Sequence, residues 1–401
     1  MTERYRYFRQ PGPIMVALLV AAVMMVSAAS ASEIALPVAW NVTFSPEENS
    51  KFDAVAGTAD GGYIVLGSTL TGSGEDLLLV KTDGRGNEIW TERFPGMAAA
   101  SVAETTDGGY IVAGYNATAG QDQNAARQGS SLLIRTDAAG KEEWRQVLQN
   151  EKVSVVRPTA DGGYVITGWL WDLPGSANDT TAVITKTDGN GTPTWSRTFP
   201  GAAANTGIVT ADGGYVIGGT KSPFTYDLGD AFLIRLDAGG NTLWEKNYAV
   251  PVIFDVEETG KGGFVYSGNF WYGLVDAKGE EVWLRNMEGL AGYAVALRPA
   301  GGYMIAGTDI RSGEAFAFGT DGDGIVRWKT TIPGARVYAA DSAPGGYVLA
   351  GIRQVPPAMG AAWLAGLEEA PASTPAAPGF GAIAAGAALL LLLLAGRTRR
   401  E

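Results

Sequence analysis

Among its 401 residues the chain has no cysteine and no histidine. Those two absences exclude thiol chemistry, a disulfide framework, imidazole acid–base catalysis and a Ser-His-Asp triad. They also remove the usual soft ligands for a transition metal. Positive charge is scarce as well: 30 Lys and Arg stand against 42 Asp and Glu, for a formal net charge of −12. Such an acidic surface serves solubility and argues against nucleic acid or an anionic bilayer surface as a partner. Long apolar runs are missing from the whole interior of the chain and occur only near its two ends.

What the chain has is glycine, 56 residues of it, set in fixed frames. One frame is D-x-x-G-x-x-x-W, carried six times with its tryptophans at Trp90, Trp144, Trp195, Trp244, Trp283 and Trp328. The other is G-G-aromatic-x-x-x-G, carried seven times with aromatics at Tyr63, Tyr110, Tyr164, Tyr215, Phe264, Tyr303 and Tyr347. The two frames interleave at a period of roughly 40–54 residues, which matches one four-stranded blade of a propeller.

Four extended segments, a to d, can be read in each repeat. In the first unit strand a covers residues 52–58 and strand b covers 63–68. Strand c covers 76–82 and strand d covers 88–94. Glycines at the a–b and c–d turns supply the positive φ angles that tight hairpins need. Proline after Phe94 and Phe199 has no amide proton for the next rung, so strand d stops there. The seventh unit has strands a, b and c but no d strand, whereas residues 37–44 form a d-like strand around Trp40 with nothing before it. The expected fold is therefore all-β. It is a seven-bladed β-propeller of four-stranded blades over residues 32–368, with the N-terminal strand closing the last blade. The seven tryptophans are expected to pack onto adjacent blades, each burying ~150–250 Å².

The turn-plus-Trp frame resembles the tryptophan-docking repeat of PQQ-type quinoprotein propellers and of scaffold propellers related to them. The likeness covers strands c and d of each blade. The quinoprotein enzymes usually have eight blades and a vicinal cysteine pair, and this chain departs from both. No acidic-plus-Asn cluster stands out as a calcium and quinone site, so no cofactor is expected.

The ends carry an address. Residues 1–31 read as a secretion signal: Arg4, Arg6 and Arg9, then an apolar run over 14–26, then an A-x-A site that places cleavage between Ala31 and Ser32. An N-terminal membrane anchor is the competing assignment. At the other end, residues 369–377 have a Pro/Ala/Ser/Thr stalk composition. Pro378, Gly379 and Phe380 open a final segment, 378–401, with an apolar run and a basic tail. This layout resembles the PGF-CTERM sorting signal of archaeal surface proteins. The resemblance implies that an archaeosortase removes the tail and that a lipid retains the protein; a plain transmembrane anchor is the alternative. Either way the expected location is the extracellular face of the cytoplasmic membrane.

The a–b and c–d turns are short and share one face of the disc, while the b–c loops on the other face vary in length. Variable loops on a rigid scaffold are where binding resides, and the stalk leaves from the opposite face. The richest patch joins Trp169, Trp171 and Asp172 to Phe224, Tyr226 and Asp227, aromatics and carboxylates of the kind that meet sugar rings or a protein partner. Packing of the long loops onto the disc is the competing explanation for them. Asn41, Asn116, Asn178 and Asn190 begin N-x-S/T sequons and are candidate glycan acceptors.

No catalytic residue and no metal site are expected. Asp321-Gly322-Asp323-Gly324 hints at a calcium loop but lacks the downstream Glu and sits where other blades place a hairpin. Glu142/Glu143, Glu257/Glu258 and Glu280/Glu281 are adjacent in extended segments and so point to opposite faces. The expected function is that of a monomeric surface binding or scaffold module for an envelope glycan or a surface-layer protein. The alternative is an extracellular enzyme, quinoprotein-like or glycan-degrading. Its acids would come from the channel-lining a strands, where Asp255, Glu257 and Asp341 are the few carboxylates.

Overall fold

Each repeat folds because its glycine frames force two hairpins. The first glycine of the G-G pair takes the left-handed conformation, as at Gly61 (φ 82°). The second is required by space, since a Cβ on Gly62 would run into the carbonyl oxygen of Thr82 on strand c. At the c–d turn, Asp83 Oδ1 accepts the amides of Arg85 (2.8 Å) and Asn87 (2.9 Å). Gly86 completes that turn at φ 77°.

The computed structural model describes residues 35–44, 49–72, 74–116, 130–171, 180–221, 230–298, 301–355 and 358–369. The signal with its Ala31/Ser32 site, the stalk, and the Pro378-Gly379-Phe380 segment lie outside the described residues. Among the described residues there are strands and turns but no helix, so none is long and apolar enough to cross a membrane.

The strands form five four-stranded antiparallel sheets and one seven-stranded sheet. The larger sheet arises because Glu281–Leu297 is one continuous strand of 17 residues. Its first part pairs with Asn269–Val275 and its last part with Tyr303–Asp309. Where two other blades end strand d on Phe-Pro-Gly, this strand carries Glu288-Gly289, and Gly289 at φ 77° bends the chain without removing an amide. Counted as strand d of one blade and strand a of the next, it resolves the sheets into seven groups of four.

The inner strands run Ser50–Gly57, Met97–Glu104, Glu151–Pro158, Ala203–Val209, Asp255–Glu258, the end of Glu281–Leu297, and Ala335–Ala343. They touch one another in cyclic order, the last meeting the first. The ring is sealed by Val38–Phe44, which pairs antiparallel with Ala358–Glu368 and places Trp40 opposite Gly366 and Phe44 opposite Ala362. A hydroxyl bond from Thr330 to the Leu36 carbonyl (2.8 Å) secures the same seam.

The core sits between blades, not within them. Seven hydrophobic clusters are found among the described residues, and each spans two neighbouring blades. Ile64, Leu66, Leu77 and Leu79 of blade 1, for instance, pack against Met97, Val102 and Tyr110 of blade 2. Strands c are covered on both faces, so Thr180–Thr187 is buried at every position. Strands d alternate and face solvent on one side.

Candidate functional site

The expected tryptophan packing is present at every junction. Trp40, Trp90, Trp144, Trp195, Trp244, Trp283 and Trp328 each lie 5.6–6.1 Å, centroid to centroid, from the frame aromatic of the next blade. Six of these indoles also cover the c–d turn glycine of that blade. A Cβ on Gly86, Gly140, Gly191, Gly240, Gly279 or Gly324 would strike the ring. Trp244 and Trp283 add indole hydrogen bonds to the carbonyls of Ala277 (3.0 Å) and Gly322 (3.2 Å). This belt packs each blade onto the next.

On the face of the framed turns, blades 1 to 4 repeat an arrangement that sequence reading explained only in part. The turn aspartates Asp60, Asp107, Asp161 and Asp212 each accept a hydroxyl bond from the threonine two residues earlier, at 2.6–2.7 Å. Each also meets a buried cation from strand c. Lys81 and Lys186 lie at 2.9 Å, Arg135 at 2.5 Å and Arg235 at 2.6 Å. The threonine hydroxyls, helped by the cations, hold Asp60, Asp161 and Asp212 down at about 2. The missed signal was a Lys or Arg two residues before each frame aspartate. Blade 5 has Leu274 there and Lys261 in place of the turn aspartate, and blade 6 has Gly319 and Ala300. The cation and its carboxylate are kept together or lost together.

Asp321 builds the same turn as the other frame aspartates. Its Oδ1 accepts the amides of Asp323 (3.0 Å) and Ile325 (2.9 Å), and Arg327 pairs with Oδ2. Glu257 and Glu258 diverge as expected. Glu258 accepts the Ala211 amide of the preceding blade (2.6 Å), whereas Glu257 lies among the channel charges.

Six of the seven inner strands carry a bulge, which sequence reading did not foresee. The bulged residues are Asp53, Ala100, Ser154, Asn205, Tyr293 and Tyr338; in blade 5 Phe254 stands just ahead of the inner strand, its amide bonded to the Ser267 carbonyl (2.9 Å). A bulge re-aims its side chain, and here several reach from one inner strand toward the next. Ser154 donates to the Ala204 carbonyl (2.8 Å) and Asn205 to the Ile253 carbonyl (3.1 Å). Phe254, Tyr293 and Tyr338 instead make an aromatic row with centroid spacings of 5.2 and 6.4 Å.

Nearer the framed turns, the three carboxylates expected at the channel interact electrostatically with Arg157. Asp255 accepts the Val295 amide (2.9 Å), the Val256 amide (3.0 Å) and the Thr206 hydroxyl (3.2 Å). Asp341 accepts the Gly57 amide across the seam (2.9 Å) and its neighbour Ser342 (2.7 Å). Both are therefore committed to holding blades together. Burial pushes Asp255 up to about 6 and raises Asp341. Glu257 has no hydrogen-bond partner among the described residues, and burial beside Asp255 pushes it up to about 8.

The proposed aromatic patch on the b–c face needs correction at Trp169. Its ring is 9% exposed, not open to solvent, and the Lys152 ammonium stands over it at 5.3 Å. Trp169 lies on a strand, Tyr164–Trp171, where pairing with Lys152 and Ala182 turns it into the fold. The side chain of Trp171 and residues Asp172, Phe224, Tyr226, Asp227 and Asn178 lie outside what the structure describes. Asn41, Asn116 and Asn190 are exposed. Asn41 is not free, because its Oδ1 accepts from Arg353 at 3.0 Å.

No family model and no curated protein matches the chain. Solved structures do. The WD40 repeats of RRP9 match with a TM-score of 0.57 at 10% identity, over 84% of this chain and 100% of that one. The WD40 β-propeller domain of Doa1 gives 0.56 at 10% identity, over 83% and 97%. The Neurospora crassa Pan2 WD40 domain gives 0.55 at 11% identity, over 83% and 96%. At such identities the likeness concerns the fold, and it defines the class: a β-propeller.

Proposed function

We propose that this chain is an exported β-propeller, held at the outer face of the cytoplasmic membrane, that binds an envelope glycan or a surface-layer protein without catalysing a reaction. The observation that carries this reading is the unequal use of the two faces. On the a–b and c–d face the turn aspartates, their threonines and the buried cations satisfy one another, leaving little to offer a ligand. The three longest connections, 117–130, 172–179 and 221–230, all leave from the b–c edge. The chain exit supports the same orientation. Glu369 lies on the framed-turn face, where it pairs with Arg298 and accepts the Tyr347 hydroxyl (2.8 Å), so a following stalk would leave the b–c face pointing outward. The layout of 1–31 and 378–401 supports export and sorting by a PGF-CTERM-type route, and the quinoprotein-like frame is read as blade architecture without a cofactor.

The catalytic alternative rests on Glu257, a carboxyl that burial and the neighbouring Asp255 charge push up to about 8. Glycoside hydrolysis needs two free carboxyl groups flanking one bond, and Asp255 and Asp341 are occupied by backbone amides. A single unpartnered acid favours binding over hydrolysis.

The test uses the full chain in detergent and isolated envelope from the source cell. Replacing residues 172–179 with an equally long Gly/Ser segment is expected to abolish envelope binding, and altering the framed turn at Gly84-Arg85 is expected to leave it intact. The reverse pattern would sink the proposal. Mass spectrometry of the native protein should find Ser32 as the first residue and no tail beyond the Pro378–Phe380 motif.

A further inference from the structure

Among the described residues, the b–c mouth of the channel holds two hydrogen-bond donors without acceptors. The Lys152 ammonium sits 5.4 Å from the Tyr115 ring centroid and 5.3 Å from that of Trp169. It makes no hydrogen bond or ion pair among the described residues. Two aromatic faces can cradle a cation but supply no counter-charge. The Tyr115 hydroxyl is likewise unpaired among the described residues. Burial and the nearby Lys51 charge both push Lys152 down from the ordinary lysine range, so the amine sits in a poorly solvated place.

Register explains the shape of the notch. Lys51, Ala98 and Lys152 hold the same position on the inner strands of blades 1, 2 and 3, each immediately before the last pair ahead of the bulge. Ala98 faces Tyr115 across its ladder, so a small side chain and a phenol lie between two lysines. Lys51 is already matched by Asp53 at 2.8 Å, with Glu75 close enough to add to its field. Lys152 has no such partner among the described residues. Its chain neighbour Glu151 points the other way along the strand, into the junction with blade 2, and is buried.

We propose that Lys152 and the Tyr115 hydroxyl bind the oxyanion of an acidic ligand, a carboxylate or a sulfate, at the b–c mouth of the channel. The proposal rests on the reading of the b–c face as the binding face, and it narrows the ligand to an acidic one. The Tyr115 hydroxyl also feels the Asp53 and Glu75 carboxylates on the Lys51 side, so the counter-charge for an anion comes from Lys152. The aromatic rings would hold the ammonium in place while the anion approaches from solvent.

Calorimetric titration of the full chain in detergent, at constant ionic strength, tests this with sodium glucuronate, sodium sulfate and neutral glucose. Saturable binding of at least one anion, with none of glucose, is the expected result; glucuronate alone would assign a carboxylate and sulfate alone a tetrahedral anion. Lys152→Met keeps the stem on both rings and should weaken binding roughly tenfold or more, the factor one charge-assisted hydrogen bond supplies. Tyr115→Phe, which removes only the hydroxyl, should weaken it less and serves if Lys152→Met fails to fold. No binding of either anion, or an unchanged Kd in both variants, overturns the proposal. If anions fail while the 172–179 replacement still abolishes envelope binding, the site is wrong and the binding face stands.

Discussion

Blades 1 to 4 and blades 5 to 7 solve one packing problem with different chemistry. In the first four, a buried Lys or Arg from strand c ties down the a–b turn through its aspartate. In blades 6 and 7 the same place is Gly319 and Gly366, where a Cβ would strike the indole of Trp328 or Trp40. The channel wall divides in the same way. Its bulged residues are Asp53, Ala100, Ser154 and Asn205 on one side, and Tyr293 and Tyr338, in a row with Phe254, on the other. A repeat frame thus sets where strands and turns go, while the residues between frame positions decide whether a blade is pinned by charge or by aromatic packing.

The seam between the two halves is the place to break this comparison hardest. Deleting residues 32–44 removes the closing strand and with it a sheet edge, Trp40 and the Leu36 contact. The expected loss is of the order of the whole folding free energy, about 5–15 kcal/mol. A truncated protein with an unchanged denaturant midpoint would refute ring closure.

Next in size are the indoles. Trp328 is 3% exposed in the aromatic half, whereas Trp144 in the polar half is only partly buried. Trp328→Ala is expected to cost ~3–5 kcal/mol, and Trp144→Ala less. Equal costs by chemical denaturation would mean the halves do not differ in how they use the belt.

The polar pin can be recoded. Asp212→Ala leaves the Arg235 guanidinium buried without its carboxylate and should cost about 1–3 kcal/mol, allowing for the exposed aspartate. Asp212→Lys combined with Arg235→Leu copies blade 5 and should recover most of that loss, because an apolar replacement of a buried pair is often neutral. A double variant less stable than Asp212→Ala would show that blade 4 depends on charge where blade 5 does not.

The smallest effect is a difference in pH response. Asp60, Asp161 and Asp212 are held at about 2, below their unfolded values, so their contribution is present above ~4 and lost as pH falls toward 2. Glu257 and Asp255 are raised to about 8 and about 6. Their contribution is full below ~4 and is lost as pH rises through those values. The polar half is therefore sensitive to acid and blade 5 to base, with Glu151 of blade 3, raised to about 7, as a base-sensitive exception. Glu257→Gln should flatten the decline in melting temperature between pH 5 and 8, as would be seen by calorimetry across that range. An unchanged slope would remove Glu257 from the channel cluster.

Much of the site was legible by position and little of it by environment. Asp255, Glu257 and Asp341 could be placed at the channel because strand a is the innermost strand. Their unequal states could not, since those depend on Val295, Gly57 and Thr206, which are brought close from other blades. Trp169, for which packing was the competing explanation, is settled the same way by its neighbours. An aromatic near a long loop reads as exposed until its cross-strand partner Lys152 is seen to cover it.

By itself the sequence determined the blade period, the hairpins, the outward tryptophans and the need for an N-terminal strand to complete the last sheet. These follow from glycine conformation and two-residue alternation, which act over a few bonds. Tertiary structure alone decided the bulges, the continuous strand through Gly289, the buried cation under each polar turn and the unmatched ammonium of Lys152. Those depend on contacts between residues far apart in the chain, where burial and the field of neighbouring charges set each group's state.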